Sequence, residues 1–257
     1  MKLRFLLSPV LLAASFAAAQ TQTPTPAPPP ASPAPALPDA PSATLPQAPV
    51  APTPTGPTAV IDTTNGRLVC KLFSKESPNT VANFIGLAEG TKTWTDPNTG
   101  QKVSGKSYYE TTTFHRVIPG FMIQGGDCKG DGSGDAGYFL DNEDTPGLRF
   151  DVPGRLAMAN AGRNTNGTQF FITEQPVEQL DGNYTIFGQC DDHTVLEVAT
   201  IARLPRNGND KPNTPVVINK VTIVRAGQAM PPIPPGPQNI VPEGQPPITM
   251  PKGPPPQ

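Results

Sequence analysis

Histidine, tryptophan and cysteine are scarce in this chain of 257 residues, which contains two, one and three of them. The two histidines lie far apart, and the spacing of Cys70, Cys128 and Cys190 matches no zinc-binding pattern. We therefore expect no metal site of the Cys/His type. In an oxidising compartment three cysteines permit one disulfide and leave one thiol. The spacing does not identify the pair, and three free thiols are an alternative.

An excess of charge of one sign is also lacking. The 19 basic and 21 acidic residues give a net charge of −2 at pH 7. This balance gives no electrostatic argument for nucleic acid or an anionic membrane surface as a partner.

The N-terminus resembles a targeting segment. Lys2 and Arg4 precede an apolar run, Leu6–Ala19, that is too short to span a bilayer in the mature protein. Its last three residues are alanines, as at a signal-peptidase cleavage site. Residues 1–19 are therefore predicted to be a signal peptide. We expect an exported protein (periplasmic, cell-envelope or extracellular) without stable membrane insertion after cleavage; an uncleaved signal anchor is the alternative.

Proline divides the remainder of the chain. Residues 21–57 hold 14 of the 36 prolines and residues 226–257 hold 12, and both flanks are poor in charge and large apolar side chains. Such segments bury too little surface to offset the entropy of ordering. We predict a proline-rich linker over residues 20–57, a folded domain over residues 58–225, and a disordered proline-rich tail over residues 226–257.

Within the folded domain, local patterns predict many short strands and few helices. Asn65-Gly66 separates two β-rich runs and predicts a hairpin. Ser77-Pro78 predicts the start of a helix, with Ser77 as its capping side chain, and Gly90 its end. A second helix is expected from about residue 194 to residue 204. This pattern is typical of a closed antiparallel barrel with helices over its open ends.

One segment carries most of the functional information. Residues 114–127 read Phe-His-Arg-Val-Ile-Pro-Gly-Phe-Met-Ile-Gln-Gly-Gly-Asp. The first part alternates as a strand does, so Arg116 should share a face with Phe114 and Ile118. A charge among apolar neighbours is costly unless it is paired. Periodicity alone leaves two interpretations open: a structural ion pair, or a pocket that a ligand completes.

Two later segments follow in order: residues 158–172, Met-Ala-Asn-Ala-Gly-Arg-Asn-Thr-Asn-Gly-Thr-Gln-Phe-Phe-Ile, and residues 180–188, Leu-Asp-Gly-Asn-Tyr-Thr-Ile-Phe-Gly. Together with residues 114–127 they closely resemble the cyclophilin family of peptidyl-prolyl cis–trans isomerases, and the loop before Tyr109 is similar to that of bacterial members. The resemblance covers residues 58–225. It implies a mainly β fold: a closed eight-stranded antiparallel β-barrel capped by two α-helices. It also implies no cofactor, and proline-containing polypeptides as clients.

The resemblance implies that Arg116 is the catalytic residue. The other residues that it implies for substrate binding are the proline-pocket wall (Phe121, Met122, Phe171, Leu180), the polar groups that hold the substrate backbone (Gln124, Asn160, Gln169), the adjacent groove (Ala159, Ala161) and the periphery (His115, Tyr184). Without the resemblance, the apolar members would more often be core residues and the two glutamines ordinary strand residues.

The sequence departs from the family at three places. Gln179 stands where many members carry a tryptophan, which should weaken the binding of cyclosporin. Arg163 replaces a usual proline, and residues 131–137 differ from the usual glycine-rich loop, which could alter substrate contacts. Residues 131–142 also fail as an EF-hand, because Ala136 and Asn142 stand where Gly and Glu are required.

The predicted activity is isomerisation of X-Pro bonds, assisting the folding of exported proteins. The alternative is a module or chaperone that binds proline segments without turnover. A third hypothesis is an adaptor that works through its proline-rich flanks. The sequence does not constrain the oligomeric state, and a monomer is the default expectation.

Overall fold

The computed structural model describes residues 52–234. The predicted signal peptide, most of the linker and most of the tail lie outside the described residues. The strands within this range are β1 (Thr58–Thr63), β2 (Arg67–Leu72), β3 (Trp94–Thr95), β4 (Lys102–Val103), β5 (Arg116–Ile118), β6 (Met122–Gly125), β7 (Arg155–Met158), β8 (Phe170–Thr173), β9 (Ile186–Cys190) and β10 (Ile218–Val224). The helices are α1 (Pro78–Glu89), α2 (Asp192–Ala202) and a short 3-10 helix, Glu178–Leu180.

Eight strands form one antiparallel sheet in the order β10-β1-β2-β9-β7-β8-β6-β5, while β3 pairs with β4. The mainly β fold with two α-helices agrees with the prediction, but the closed barrel was wrong. The sheet curls into a half-barrel whose edges are β10 and β5. Between these edges, Thr113 makes isolated bridges to Val217 and Asp127. β5 itself does not pair with β10; instead the segment before β5 meets the start of β10, where the N–H groups of Thr111 and Phe114 donate to the carbonyls of Ile218 and Val216, each at 2.9 Å.

The hairpin and α1 form where the sequence predicts them. β1 pairs with β2 across the Asn65-Gly66 turn, and Gly90 ends α1 in the left-handed conformation at φ 71°. The predicted cap was wrong, because the Ser77 hydroxyl donates to the Ile186 carbonyl at 2.7 Å. The Glu143 carboxylate instead accepts the first helical N–H groups, at 2.9 and 2.8 Å. A remote carboxylate therefore replaces the local cap.

Helix α2 begins two residues earlier than predicted. Asp191 is its N-cap, and its carboxylate accepts the backbone N–H of Thr194 at 2.8 Å. An acidic side chain at this end also complements the partial positive charge of the helix N-terminus. With Asp191 as the cap, the first turn of the helix begins at Asp192.

Alternate residues of the same strands belong to two apolar clusters. Val117, Ile123 and Ile172 lie in the main core, whereas Met122 and Phe171 belong to a second cluster. Because successive side chains of a strand point to opposite faces, the second cluster lies on the other face of the sheet. We call this second cluster the outer cluster.

A disulfide joins Cys70 of β2 to Cys190 of β9, which are direct register partners. This identifies the pair that the sequence left open. Cys128 is a free, half-buried thiol that accepts a hydrogen bond from the Tyr108 hydroxyl at 3.3 Å.

Over residues 52–234, no helix has the length and apolar character needed to cross a membrane. The same residues contain no group of three or more His, Cys, Asp or Glu side chains placed to hold a metal ion.

Candidate active site

Three of the predicted site residues, Arg116, Gln124 and Phe171, lie along one cross-strand row. Arg116 of β5 pairs with Gln124 of β6, Gln124 pairs with Phe171 of β8, and Phe171 pairs with Ala157 of β7. Directly paired residues of an antiparallel ladder point to the same face. The row therefore places a guanidinium, an amide and an aromatic ring side by side on the outer face, at strand spacings of about 5 Å.

Arg116 is exposed at the edge of this row. Among the described residues its side chain makes no ion pair and no hydrogen bond. Periodicity left two interpretations of Arg116 open, a structural ion pair or a pocket. Within residues 52–234 the structural ion pair is not observed. The shared face was predicted correctly for Ile118 but wrongly for Phe114, which precedes β5 and lies in the main core.

The outer cluster forms an apolar wall beside the row. The four predicted pocket residues are part of it: Met122 and Phe171 as buried members, and Phe121 and Leu180 packed against them. Ala159 and Tyr184 pack against the same cluster. The Phe171 ring is stacked on Phe150 with centroids 5.8 Å apart, and Tyr184 meets its edge at 5.4 Å. A ring held on two sides in this way is a fixed surface against which a proline ring can pack.

Gln124 and Gln169 are connected by hydrogen bonds. The Gln124 amide donates to the Gln169 carbonyl oxygen at 3.0 Å. The Gln169 amide donates to the carbonyls of Gly132 and Gly134 at 2.9 and 3.0 Å. These bonds fix both side chains and leave the Gln124 side-chain oxygen without a partner among the described residues, so it can accept from a substrate.

Asn160 lies two residues after the end of β7, and its own backbone groups are unpaired in the described part of the chain. Its side-chain amide donates to the Asn183 carbonyl at 3.0 Å. Its neighbours are fixed, because the N–H of Ala159 donates to Gln169 and the N–H of Ala161 to Thr165. Within residues 52–234 the N–H and carbonyl of Asn160 itself make no hydrogen bond. They are available to an extended peptide in the manner of strand addition.

His115 is placed differently from the other predicted members. Its side chain is buried, with 6% of its surface exposed, and neither ring nitrogen has a hydrogen-bond partner in residues 52–234. Burial lowers the pKa of His115, partly offset by the nearby Asp127 carboxylate. A buried, neutral imidazole with no nucleophile beside it is not suited to acid–base catalysis.

Two of the departures from the family pattern, Arg163 and Gln179, lie at the surface. Arg163 forms an ion pair with Asp144 and donates to the Gly182 carbonyl at 3.2 Å. It thereby connects the segment after Asn160 to the loop that precedes Tyr184. Gln179 is exposed within the 3-10 helix.

Sequence reasoning missed Phe150 and Ile186, both buried in the outer cluster. Phe150 stands alone in an irregular segment, and no periodicity could have indicated its contact with Phe171. It also missed a cavity of about 320 Å³ beside Gln124 and Asn160. Only the unusual composition of residues 131–137 pointed toward it.

Comparison with known proteins identifies close relatives. The family model "Cyclophilin type peptidyl-prolyl cis-trans isomerase/CLD" matches residues 58–223. Peptidyl-prolyl cis-trans isomerase A of Mycobacterium tuberculosis is 47% identical over 166 residues, covering 64% of this chain and 91% of that protein. Peptidyl-prolyl cis-trans isomerase B of Streptomyces anulatus is 44% identical over 167 residues, covering 64% and 95%. A crystal structure of a Cryptosporidium parvum cyclophilin type isomerase in the presence of the dipeptide Ala-Pro matches with TM-score 0.55 and 36% identity, covering 65% and 98%.

Proposed function

The chain belongs to the cyclophilin-type peptidyl-prolyl cis–trans isomerases and is an enzyme of that activity, and we propose that Arg116 catalyses it on X-Pro bonds of exported polypeptides. The observation that carries the assignment of Arg116 is its position. It is an unpaired guanidinium at the end of a cross-strand row that leads into an apolar wall.

The reaction requires no bond cleavage between heavy atoms. Amide resonance opposes rotation with a barrier of roughly 18–20 kcal/mol, and the uncatalysed event takes tens to hundreds of seconds. Reaching about milliseconds requires roughly 10⁴- to 10⁵-fold acceleration, or about 5.5–7 kcal/mol of differential transition-state stabilisation. A fixed electrostatic contact made only in the twisted state can supply a large part of this.

Twisting the bond returns a lone pair to the proline nitrogen, which then becomes a hydrogen-bond acceptor. The guanidinium is permanently charged, and here no carboxylate among residues 52–234 competes for it. Its donation to the nitrogen favours the twisted state over either planar isomer. Meanwhile the wall formed by Met122 and Phe171 holds the ring, and Gln124 and Asn160 hold the backbone on either side.

Substitution of Arg116 tests this assignment. We expect Arg116→Ala to lower kcat/KM for a proline peptide by two or more orders of magnitude, as measured by a protease-coupled assay. Because the side chain is exposed and makes no hydrogen bond or ion pair within the described residues, the melting temperature should hardly change. Arg225→Ala, which removes an exposed arginine paired with Glu89, is the matched control. Normal turnover by Arg116→Ala would refute the mechanism.

The non-catalytic alternative predicts binding without acceleration. A proline peptide that binds the isolated domain, residues 52–234, but isomerises at the uncatalysed rate would favour a binding module. The adaptor hypothesis instead requires the flanks, so deleting residues 226–257 should abolish its function while leaving peptide turnover intact.

Export is supported by two independent features, the N-terminal targeting pattern and the Cys70–Cys190 disulfide, which is typical of oxidising compartments. We expect a mature N-terminus at Gln20 and recovery of the protein outside the cytoplasm. N-terminal sequencing and cell fractionation test this. An intact residue 1 in cytoplasmic protein would contradict it.

A further inference from the structure

A cavity of about 320 Å³ lies next to the proposed active site. One side consists of residues already assigned to substrate binding: Gln124, Ala159, Asn160, Ala161 and Gln169. The other side comes from the loop that departs from the family pattern, with Gly132, Gly134, Asp135 and Phe139 among its lining residues. The cavity therefore opens onto the path of a bound peptide.

Glycines create the space, and hydrogen bonds hold its shape. Gly132, Gly134 and Gly167 line the cavity without side chains. The carbonyls of Gly132 and Gly134 accept from the Gln169 amide, which is itself bonded to Gln124. These hydrogen bonds connect the loop side of the cavity to Gln124 of the cross-strand row, so the cavity is preformed.

Asp135 and Phe139 stand side by side in this wall. A Cβ atom placed on Gly167 would lie 3.8 Å from the Phe139 ring and 3.9 Å from the Asp135 Cβ, so both side chains converge above that glycine. Phe139 is 58% exposed, so its ring is accessible to a side chain that enters the cavity. The combination provides an aromatic face next to a carboxylate.

The charge of Asp135 is not balanced within the cavity. One oxygen accepts the Gly137 backbone N–H at 2.6 Å, and the other has no partner among residues 52–234. Asp135 forms no ion pair in this range, and no lysine or arginine lines the cavity. Lys129 approaches Gly134 with its aliphatic stem but is not a lining residue.

We propose that this cavity binds a lysine or arginine side chain of the client and makes the enzyme prefer basic residues near the isomerised proline. The inference rests on the proposed function of the neighbouring groove. The aliphatic stem packs along Phe139 while the cationic head meets Asp135, so a cation–π contact and an ion pair act together. A glutamate at the same position would face Asp135 and be disfavoured.

The position of the preferred residue follows from strand geometry. In an extended peptide, side chains two residues apart point to the same side. With the proline ring on the outer cluster, the residue two before or two after proline can reach the cavity. A scan of both positions with lysine, alanine and glutamate therefore tests the proposal, using kcat/KM of the full mature chain in the protease-coupled assay.

We expect the lysine peptide to exceed the alanine peptide by about three- to tenfold at one position, the range for an exposed ion pair aided by a cation–π contact. Asp135→Asn should bring that ratio close to one, and Phe139→Ala should reduce it partly. Glu110→Gln removes an equal charge from an exposed loop outside the cavity and should keep the ratio. Higher salt should shrink the preference.

Equal kcat/KM for all three residues at both positions would overturn the inference while leaving the isomerase intact. A lysine preference that survives in Asp135→Asn would overturn it equally. If no peptide is turned over, including the alanine peptide, the catalytic proposal is wrong instead. The affinities of fluorescent lysine and alanine peptides, measured by polarisation, would then decide the cavity's preference by themselves.

Discussion

Breaking the Cys70–Cys190 disulfide should cost the domain a large part of its stability. The two cysteines are separated by 120 positions in sequence, and both are buried, at 0% and 4% exposure. Cross-linking so long a loop restricts the unfolded chain. The chain-entropy relation gives a contribution of roughly 5 kcal/mol at 25 °C for a loop of this size. Domains are commonly stable by only about 5–15 kcal/mol, so the effect should be easy to measure.

Urea unfolding followed by circular dichroism measures this contribution. We expect the free energy of unfolding of the reduced protein to be lower by about 2–5 kcal/mol than that of the oxidised protein. The double variant Cys70→Ala, Cys190→Ala should show a similar loss and should no longer respond to reductant. Cys128→Ser, which changes only the free thiol, should keep the full response.

A difference below about 1 kcal/mol between oxidised and reduced protein would refute this reasoning, because it would show that the unfolded chain gains little freedom on reduction. A reductant response that persists in the double variant would contradict the assignment, because Cys128 is then the one cysteine left and has no partner within the chain.

Two further predictions concern buried members of the site. Phe171→Ala should lower the free energy of unfolding by about 3–5 kcal/mol and raise KM, because it removes a 4% exposed ring that contacts Phe150 and Tyr184; urea unfolding and peptide kinetics measure both. His115 should make stability fall as pH drops below 6.5, because its lowered pKa means that the unfolded chain takes up a proton before the folded protein does. The difference between wild type and His115→Gln isolates this slope from that of Glu197, whose raised pKa acts in the opposite direction; parallel pH profiles of the two proteins would contradict the prediction.

The features that could be predicted are determined by residues adjacent to one another in the sequence. The turn at Asn65-Gly66 and the end of α1 at Gly90 use conformations that few other residues adopt, so the sequence alone locates them. The segment around Arg116 was likewise identifiable from its motif. The exposure of Arg116 was not, because it depends on β5 starting at this residue rather than at Phe114.

Several of the wrong or missing predictions involve partners distant in the chain. Ser77 has the right side chain to cap α1, but the Ile186 carbonyl takes its hydroxyl and Glu143 takes over the cap. The pairing of Cys70 depends on which strand lies beside β2. The convergence of Asp135 and Phe139 likewise arises only after two loops fold over Gly167. Spacing in the sequence holds no information about such contacts.

The structure of β6 and β8 explains how the positions of the groove side chains are fixed. In β6, Ile123 points into the main core while Gln124 points into the groove; in β8, Ile172 and Phe171 divide in the same way. Because the side-chain period of a strand is two, a slip of one residue would exchange these faces, burying Gln124 and exposing Ile123. The energy of burying the main core therefore fixes the register that aligns Gln124 with Arg116 and Phe171. On the proposed mechanism, Arg116, Gln124 and Phe171 are therefore preorganised by core residues on the opposite face of the sheet, which is the condition for a fixed charge to favour a transition state.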